Sequence, residues 1–153
     1  MPLPTHIATP APATPVEIQD ALRLTLSFRP RARRVEYLRR IAGAVLRQCG
    51  TAEEAVETVQ LLVSEIATNA VVHGRGERVR FSLSYDEHGT VLIEVDDCSP
   101  APASQVSVRR PGPDEEGGRG MVLVEALART WGRRGTCTWC TVATRARQEV
   151  RTA

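Results

Sequence analysis

A chain of 153 residues is long enough for one domain with its own hydrophobic core and needs neither metal nor disulfides to fold. Twenty Lys and Arg against eighteen Asp and Glu leave a formal charge of +2, too even a balance to argue for a nucleic-acid or membrane surface. No run approaches the roughly 18 apolar residues of a membrane span, and no basic segment leads into an apolar one at the start, so the expected location is the cytoplasm.

Residues 1–19 hold Pro2, Pro4, Pro10, Pro12 and Pro15 among Ala and Thr, a composition that suits neither strand nor helix and reads as a flexible tail. From Leu22 to Phe28 apolar and polar residues alternate, the mark of a half-buried strand, and Pro30 ends it. Val35, Leu38, Ile41, Ala42, Val45 and Leu46 then recur at helical spacing between Arg31 and about Cys49. Arg33, Arg34, Arg39, Arg40 and Arg47 lie around the rest of that cylinder, either solvated or facing an acidic partner. Gly50 closes this helix, and Thr51 with Glu54 reads as a capping box for the next, which runs to His73 and stops at Gly74.

The period then changes to two. Val79, Phe81, Leu83 and Tyr85 alternate with polar residues, and after a turn at Glu87-His88-Gly89 a second run covers Val91 to Val95, giving two antiparallel strands. Residues 99–118 are rich in Pro and Gly and read as a long lid-like loop. Met121 to Trp131 reads as helix, and a hairpin about Gly132–Gly135 leads into a closing strand from about Thr136 to Thr144. The domain is thus expected over 20–146, followed by a frayed tail at 147–153. The order of elements suits an α+β, two-layer sandwich: a mixed, mostly antiparallel sheet with helices packed on one face. Cys137-Thr138-Trp139-Cys140 has C-x-x-C spacing, but in a strand its two thiols point to opposite faces, which argues against a metal or redox pair.

Three places carry candidate chemistry. Glu65, Asn69 and His73 are spaced by four, so they stack along one helical stripe bordering the apolar face of Val59, Leu62, Val63, Ile66 and Ala70. Asn is a poor residue for a helix interior, so its place beside the core asks for a reason; its amide oxygen is a hard ligand suited to Mg²⁺, and a carboxylate one turn earlier can take a hydroxyl proton. A plain i, i+4 pair between Glu65 and Asn69 is the alternative. Asp97 ends the row Val91, Ile93, Val95, where a carboxylate needs donors such as an exocyclic amine, although Asp96-Asp97-Cys98-Ser99-Pro100 also reads as a turn. Glu115-Glu116-Gly117-Gly118-Arg119-Gly120 leads into the helix expected near Met121, where glycines and free N–H groups admit a phosphate; simple turn chemistry is as good a reading. It matches neither a P-loop nor a dinucleotide-binding fingerprint.

Taken in this order, the segments Glu65–Gly74, Val95–Pro100 and Gly117–Val124 resemble the N box and the two glycine-box segments of the GHKL ATPases, the Bergerat fold, and most of all the small bacterial anti-sigma-factor serine/threonine kinases. The likeness covers about residues 20–145. It implies ATP and Mg²⁺ as cofactors: Asn69 on the metal and phosphates, His73 as a wall of the phosphate pocket, and Asp97 on the adenine amine. Gly118, Arg119, Gly120 and Met121 would line the phosphate end and hinge the lid, and Glu65 would be the catalytic base for a partner's hydroxyl. A late-strand threonine often contacts nucleotide in this superfamily; Thr136, Cys137 and Thr138 all compete for that position. The implied partners are a sigma factor and a STAS-domain anti-anti-sigma protein, with a homodimer plausible on family grounds. The implied function is a Mg²⁺-ATP protein kinase regulating transcription, or else an ATP-dependent protein-binding regulator without phosphoryl transfer.

Overall fold

The computed structural model describes residues 20–100 and 116–144. Among these described residues, five strands and three helices follow in the order β1 (Asp20–Phe28), α1 (Ala32–Gln48), α2 (Glu53–His73), β2 (Val79–Asp86), β3 (Thr90–Asp96), α3 (Glu116–Leu127), β4 (Thr130–Arg134) and β5 (Cys137–Ala143). They form the expected α+β sandwich. The sheet order is β1-β2-β3-β5-β4, and every neighbouring pair runs antiparallel. The sheet is therefore antiparallel throughout, because the β4–β5 hairpin feeds its second strand, running opposite to β3, into the place beside it.

Register decides which residues meet the helices. Leu24, Leu83, Ile93 and Cys140 lie side by side across β1, β2, β3 and β5, with Leu26, Phe81, Val95 and Thr138 forming the next row. Phe81, Leu83, Ile93 and Cys140 are fully buried under the helices. The opposite face carries Thr25, Ser82, Glu94 and Trp139. Cys137 falls on that outer face beside Asp96, so the two thiols of the C-x-x-C point away from each other as expected. Burial pushes Cys137 up to about 11, helped by Glu94 and Asp96, and Cys140 up to about 12.

α2 is the central helix. By length and composition it could cross a membrane, yet Val56, Val59, Leu62, Val63, Ile66, Ala67 and Ala70 are buried in the core. Each fully buried Val, Leu or Ile there contributes about 1.5–3 kcal/mol, which readily offsets one polar residue of low helix propensity. α1 packs on α2 through Leu38, Ala42 and Leu46, with Arg33, Arg34, Arg39, Arg40 and Arg47 exposed. Arg40 pairs with Glu36, and Arg47 makes a two-pronged contact with Glu53 at 2.6 and 3.0 Å.

The capping box is not formed. Gly50, at φ +75°, lets Gly50 N–H donate to Arg47 O and Thr51 N–H to Leu46 O, the Schellman closure of α1. Thr51 is thereby drawn into ending α1, its hydroxyl is buried without a partner among the described residues, and α2 begins after Ala52 with no side-chain cap. At the other end Gly74 stops α2 in an extended conformation, φ −66° and ψ 146°, rather than a left-handed one.

α3 also differs from its expected span. It starts at Glu116 and ends at Leu127, so Gly117, Gly118, Arg119 and Gly120 belong to its first turns, and Trp131 lies in β4. Val124 is fully buried and Met121 packs against the core, and this docking on α2 outweighs the roughly 1 kcal/mol that each glycine costs a helix. Trp131 pairs with Cys140 in the β4–β5 ladder, where its ring packs on the core. Of the expected lid, residues 101–115 lie outside the described residues, as do the tails at 1–19 and 145–153.

Candidate functional site

The stripe on α2 emerges as the spacing demands. Glu65 and Asn69 are half-buried and His73 is exposed in the last turn, one helical step round from Ser64, Thr68 and Val72, which line the groove towards α1. The plain i, i+4 pair between Glu65 and Asn69 is absent: among the described residues none of these three side chains has a hydrogen-bond or ionic partner. Among the described residues, a half-buried carboxylate and amide beside the core thus keep their full bonding capacity.

Asp97 lies 8% exposed at the end of the helix-facing row of β3. Its Oδ1 accepts the Ser99 N–H at 2.9 Å and its Oδ2 a donor from Arg133 Nη2 at 3.3 Å, while its own N–H donates to Thr136 O. The turn reading therefore holds through Oδ1, and the carboxylate is buried with Oδ2 against Arg133. Neighbouring Asp96 points to the outer face, where it accepts the Thr136 hydroxyl at 2.6 Å and the Cys98 N–H at 2.9 Å. Burial pushes the Asp96 carboxyl up, but the Thr136 and Cys98 hydrogen bonds and nearby Arg80 outweigh it, so its pKa ends below the usual value.

The end of α2 and the end of β3 are laced together. A methyl group on Gly74 would fall 2.9 Å from Asp97 Cβ and collide with Ala70 O; on Gly76 it would fall 2.6 Å from Cys98 O and collide with Asp97 O. Arg75 N–H donates to Ser99 Oγ at 2.8 Å across the same seam. Only glycine permits this approach. Cys98 is held at φ +53°, a left-handed conformation costly for a residue with a side chain. The carboxylate of Asp97 is consequently fixed beside the helix that carries the polar stripe.

α3 packs on α2, bringing the backbone of Gly118, Arg119 and Gly120 and half-buried Met121 to the same helical layer. Register also separates the late-strand candidates: Cys137 and the Thr136 hydroxyl serve the outer face, whereas Thr138 stands between Val95 and Arg133 on the face of Asp97. Sequence reasoning missed Gly76, Ser99 and Arg133. The pattern Gly74-x-Gly76 is a visible signal of close approach, but the meeting of Arg133 with Asp97, 36 residues apart, depends on the β3–β5–β4 register.

Among described residues no cluster of three or more His, Cys, Asp or Glu is placed to hold a metal. Asn69, a single hard oxygen donor with no partner among the described residues, fits a Mg²⁺ ion that keeps its waters and shares phosphate oxygens.

The chain resembles in fold a crystal structure of the RsbU and RsbW domains of Rv1364c from Mycobacterium tuberculosis, with a TM-score of 0.57 and 18% identity. The likeness covers 81% of this chain and 32% of that one, so the chain spans about a third of its length. No curated protein matches it in sequence. The sequence pattern of the histidine kinase-like ATPase domain matches residues 28–143, which includes the α2 stripe, Asp97 and α3. The chain belongs to the histidine kinase-like ATPase family, whose ligand is ATP.

Proposed function

We propose that the chain is a cytoplasmic, Mg²⁺-ATP-dependent serine/threonine protein kinase of the anti-sigma-factor type, acting on a STAS-domain partner and holding a sigma factor when that partner is absent. The observation that carries it is the polar stripe on α2: Glu65 and Asn69 sit half-buried with no partner among the described residues, within the family's ATP-binding domain. The fold likeness to the RsbU and RsbW domains of Rv1364c supports the same class.

In this reading Asp97 Oδ2 accepts the adenine amine, and Thr138 is the late-strand threonine on the nucleotide side. The backbone at Gly118–Gly120, with Arg119, Met121 and His73, closes round the phosphates. Asn69 would hold Mg²⁺, whose chemistry there would be to neutralise phosphate charge. Glu65 takes the proton of the partner's serine hydroxyl as that oxygen bonds to the γ-phosphorus; the bond from phosphorus to the bridging oxygen breaks, and ADP leaves with the electron pair. Positioning and charge neutralisation carry most of such a transfer, so one carboxylate suffices.

The test is incubation with labelled ATP and candidate STAS proteins, comparing the native chain with Glu65→Ala. Label is expected on a partner serine or threonine with the native chain, and at least about 100-fold less with the variant, the usual scale for losing a general base. A cognate partner that binds along with ATP yet gains no phosphate would overturn the kinase and leave an ATP-dependent binding regulator.

A further inference from the structure

The guanidinium of Arg133 is the one cation in contact with Asp97 among the described residues, and its placement is specific. Arg133 Nε donates to Gly135 O at 3.1 Å, which anchors the head group to the β4–β5 turn, and Nη2 donates to Asp97 Oδ2 at 3.3 Å. The contact is single rather than two-pronged, and the Arg133 side chain is half-exposed while that of Asp97 is largely buried. Asp97 Oδ1 is committed to Ser99 N–H. What remains is an acceptor on Oδ2 and free N–H donors on the guanidinium, side by side on the site face of the sheet.

We infer that Arg133 reads the nucleobase together with Asp97, donating to the ring nitrogen that flanks the amine accepted by the carboxylate. This rests on the adenine reading of Asp97. Adenine carries an exocyclic N–H donor with bare ring-nitrogen acceptors on both sides of it, N1 and N7, so an acceptor beside a donor is its complement. Guanine places a carbonyl acceptor where adenine has its amine, and sets it against the carboxylate. Arg133 thereby adds a charge-assisted hydrogen bond to a base that Asp97 alone would hold by one contact. It is a specificity residue, not a catalytic one.

The experiment measures equilibrium binding of ATP, 1-deaza-ATP and 7-deaza-ATP to the native chain, to Arg133→Ala and to Asp97→Asn, with thermal melts of each protein alone confirming that it folds. The native chain should bind one of the two deaza analogues about tenfold more weakly than ATP, the scale of one charge-assisted hydrogen bond. Arg133→Ala should bind ATP about tenfold more weakly than the native chain does and should bind that same analogue as tightly as ATP. Unchanged or tighter ATP binding by Arg133→Ala overturns the inference, as does a deaza penalty that persists in it. If Asp97→Asn loses ATP while Arg133→Ala does not, only Arg133 is misassigned. If Asp97→Asn binds ATP as tightly as the native chain, the adenine reading itself falls and this inference with it.

Discussion

The two ends of the site are built in opposite ways. Around Asp97 nearly everything is committed internally: Oδ1 to Ser99, the backbone N–H to Thr136, the flanks to Gly74 and Gly76, with Cys98 forced to a positive φ. Along α2, Glu65, Asn69 and His73 have no such commitments among the described residues. The first end is rigid and shaped before any ligand arrives, which lowers the ordering cost of binding there. The second keeps its bonding capacity for groups that come from outside. Substitutions in the scaffold that holds Asp97 should therefore cost stability, whereas those at Asp97 itself and along α2 should cost ligand.

The sharpest way to break this contrast is Gly76→Ala. Its new methyl would meet two backbone carbonyls, those of Asp97 and Cys98, which cannot swing aside as a side chain can. A loss of about 2–3 kcal/mol is expected, the upper range for overpacking, read as a lower urea midpoint with an unchanged slope. A loss below about 0.5 kcal/mol, the scale of a neutral surface change, would mean the seam between α2 and β3 is not rigid.

Asp97→Asn keeps the shape and removes the charge. At ATP near 100 times Kd the native chain should gain about 2.7 kcal/mol of stability by mass action, and the variant should lose most of that gain. With no ligand it should unfold only slightly more easily, by about 1 kcal/mol, because the amide oxygen can still accept from Ser99. A full ATP shift in the variant would sink the adenine assignment.

The last strand, β5, makes a pH prediction. Cys137 and Cys140 have folded pKa values of about 11 and about 12 against an ordinary 9.0, so the folded chain holds their protons to higher pH than the unfolded one. Their contribution is complete below about pH 9 and is lost as pH rises through 11–12. Urea midpoints should fall as pH rises from 9 to 10.5, and less steeply in Cys140→Ala. Asp96 acts at the acid end with the opposite sign: its lowered pKa contributes stability above about pH 3.8 that is lost on further acidification. Asp96→Asn should flatten that slope.

How much of this was legible beforehand follows from which forces are local. Alternation placed β1, β2 and β3 nearly to the residue, and a spacing of four put Glu65, Asn69 and His73 on one stripe, because side-chain direction follows from backbone period alone. The capping box failed because two helix ends competed for Thr51, and closure of α1 through Gly50 won. The helix expected from Met121 began five residues early because packing of Val124 overrode glycine propensity. Arg133 was invisible for a different reason. Its meeting with Asp97 is created by strand order and register, which no local pattern encodes.

The smallest predicted effect tests the open end. Asn69 stands in the interior of α2, half-buried, with no partner among the described residues. Replacing it with Ala removes no hydrogen bond to a described residue and exchanges a poor helix former for the best one, so the free protein should gain about 0.5 kcal/mol. The same variant should lose the stabilisation by Mg²⁺-ATP, since the amide oxygen is the one hard ligand the stripe presents beside Glu65. A residue that weakens the free fold and strengthens the bound one is there for the ligand. Should Asn69→Ala instead destabilise the free chain by more than about 1 kcal/mol, the cost of a lost internal hydrogen bond, Asn69 is part of the scaffold and the two ends of the site are alike.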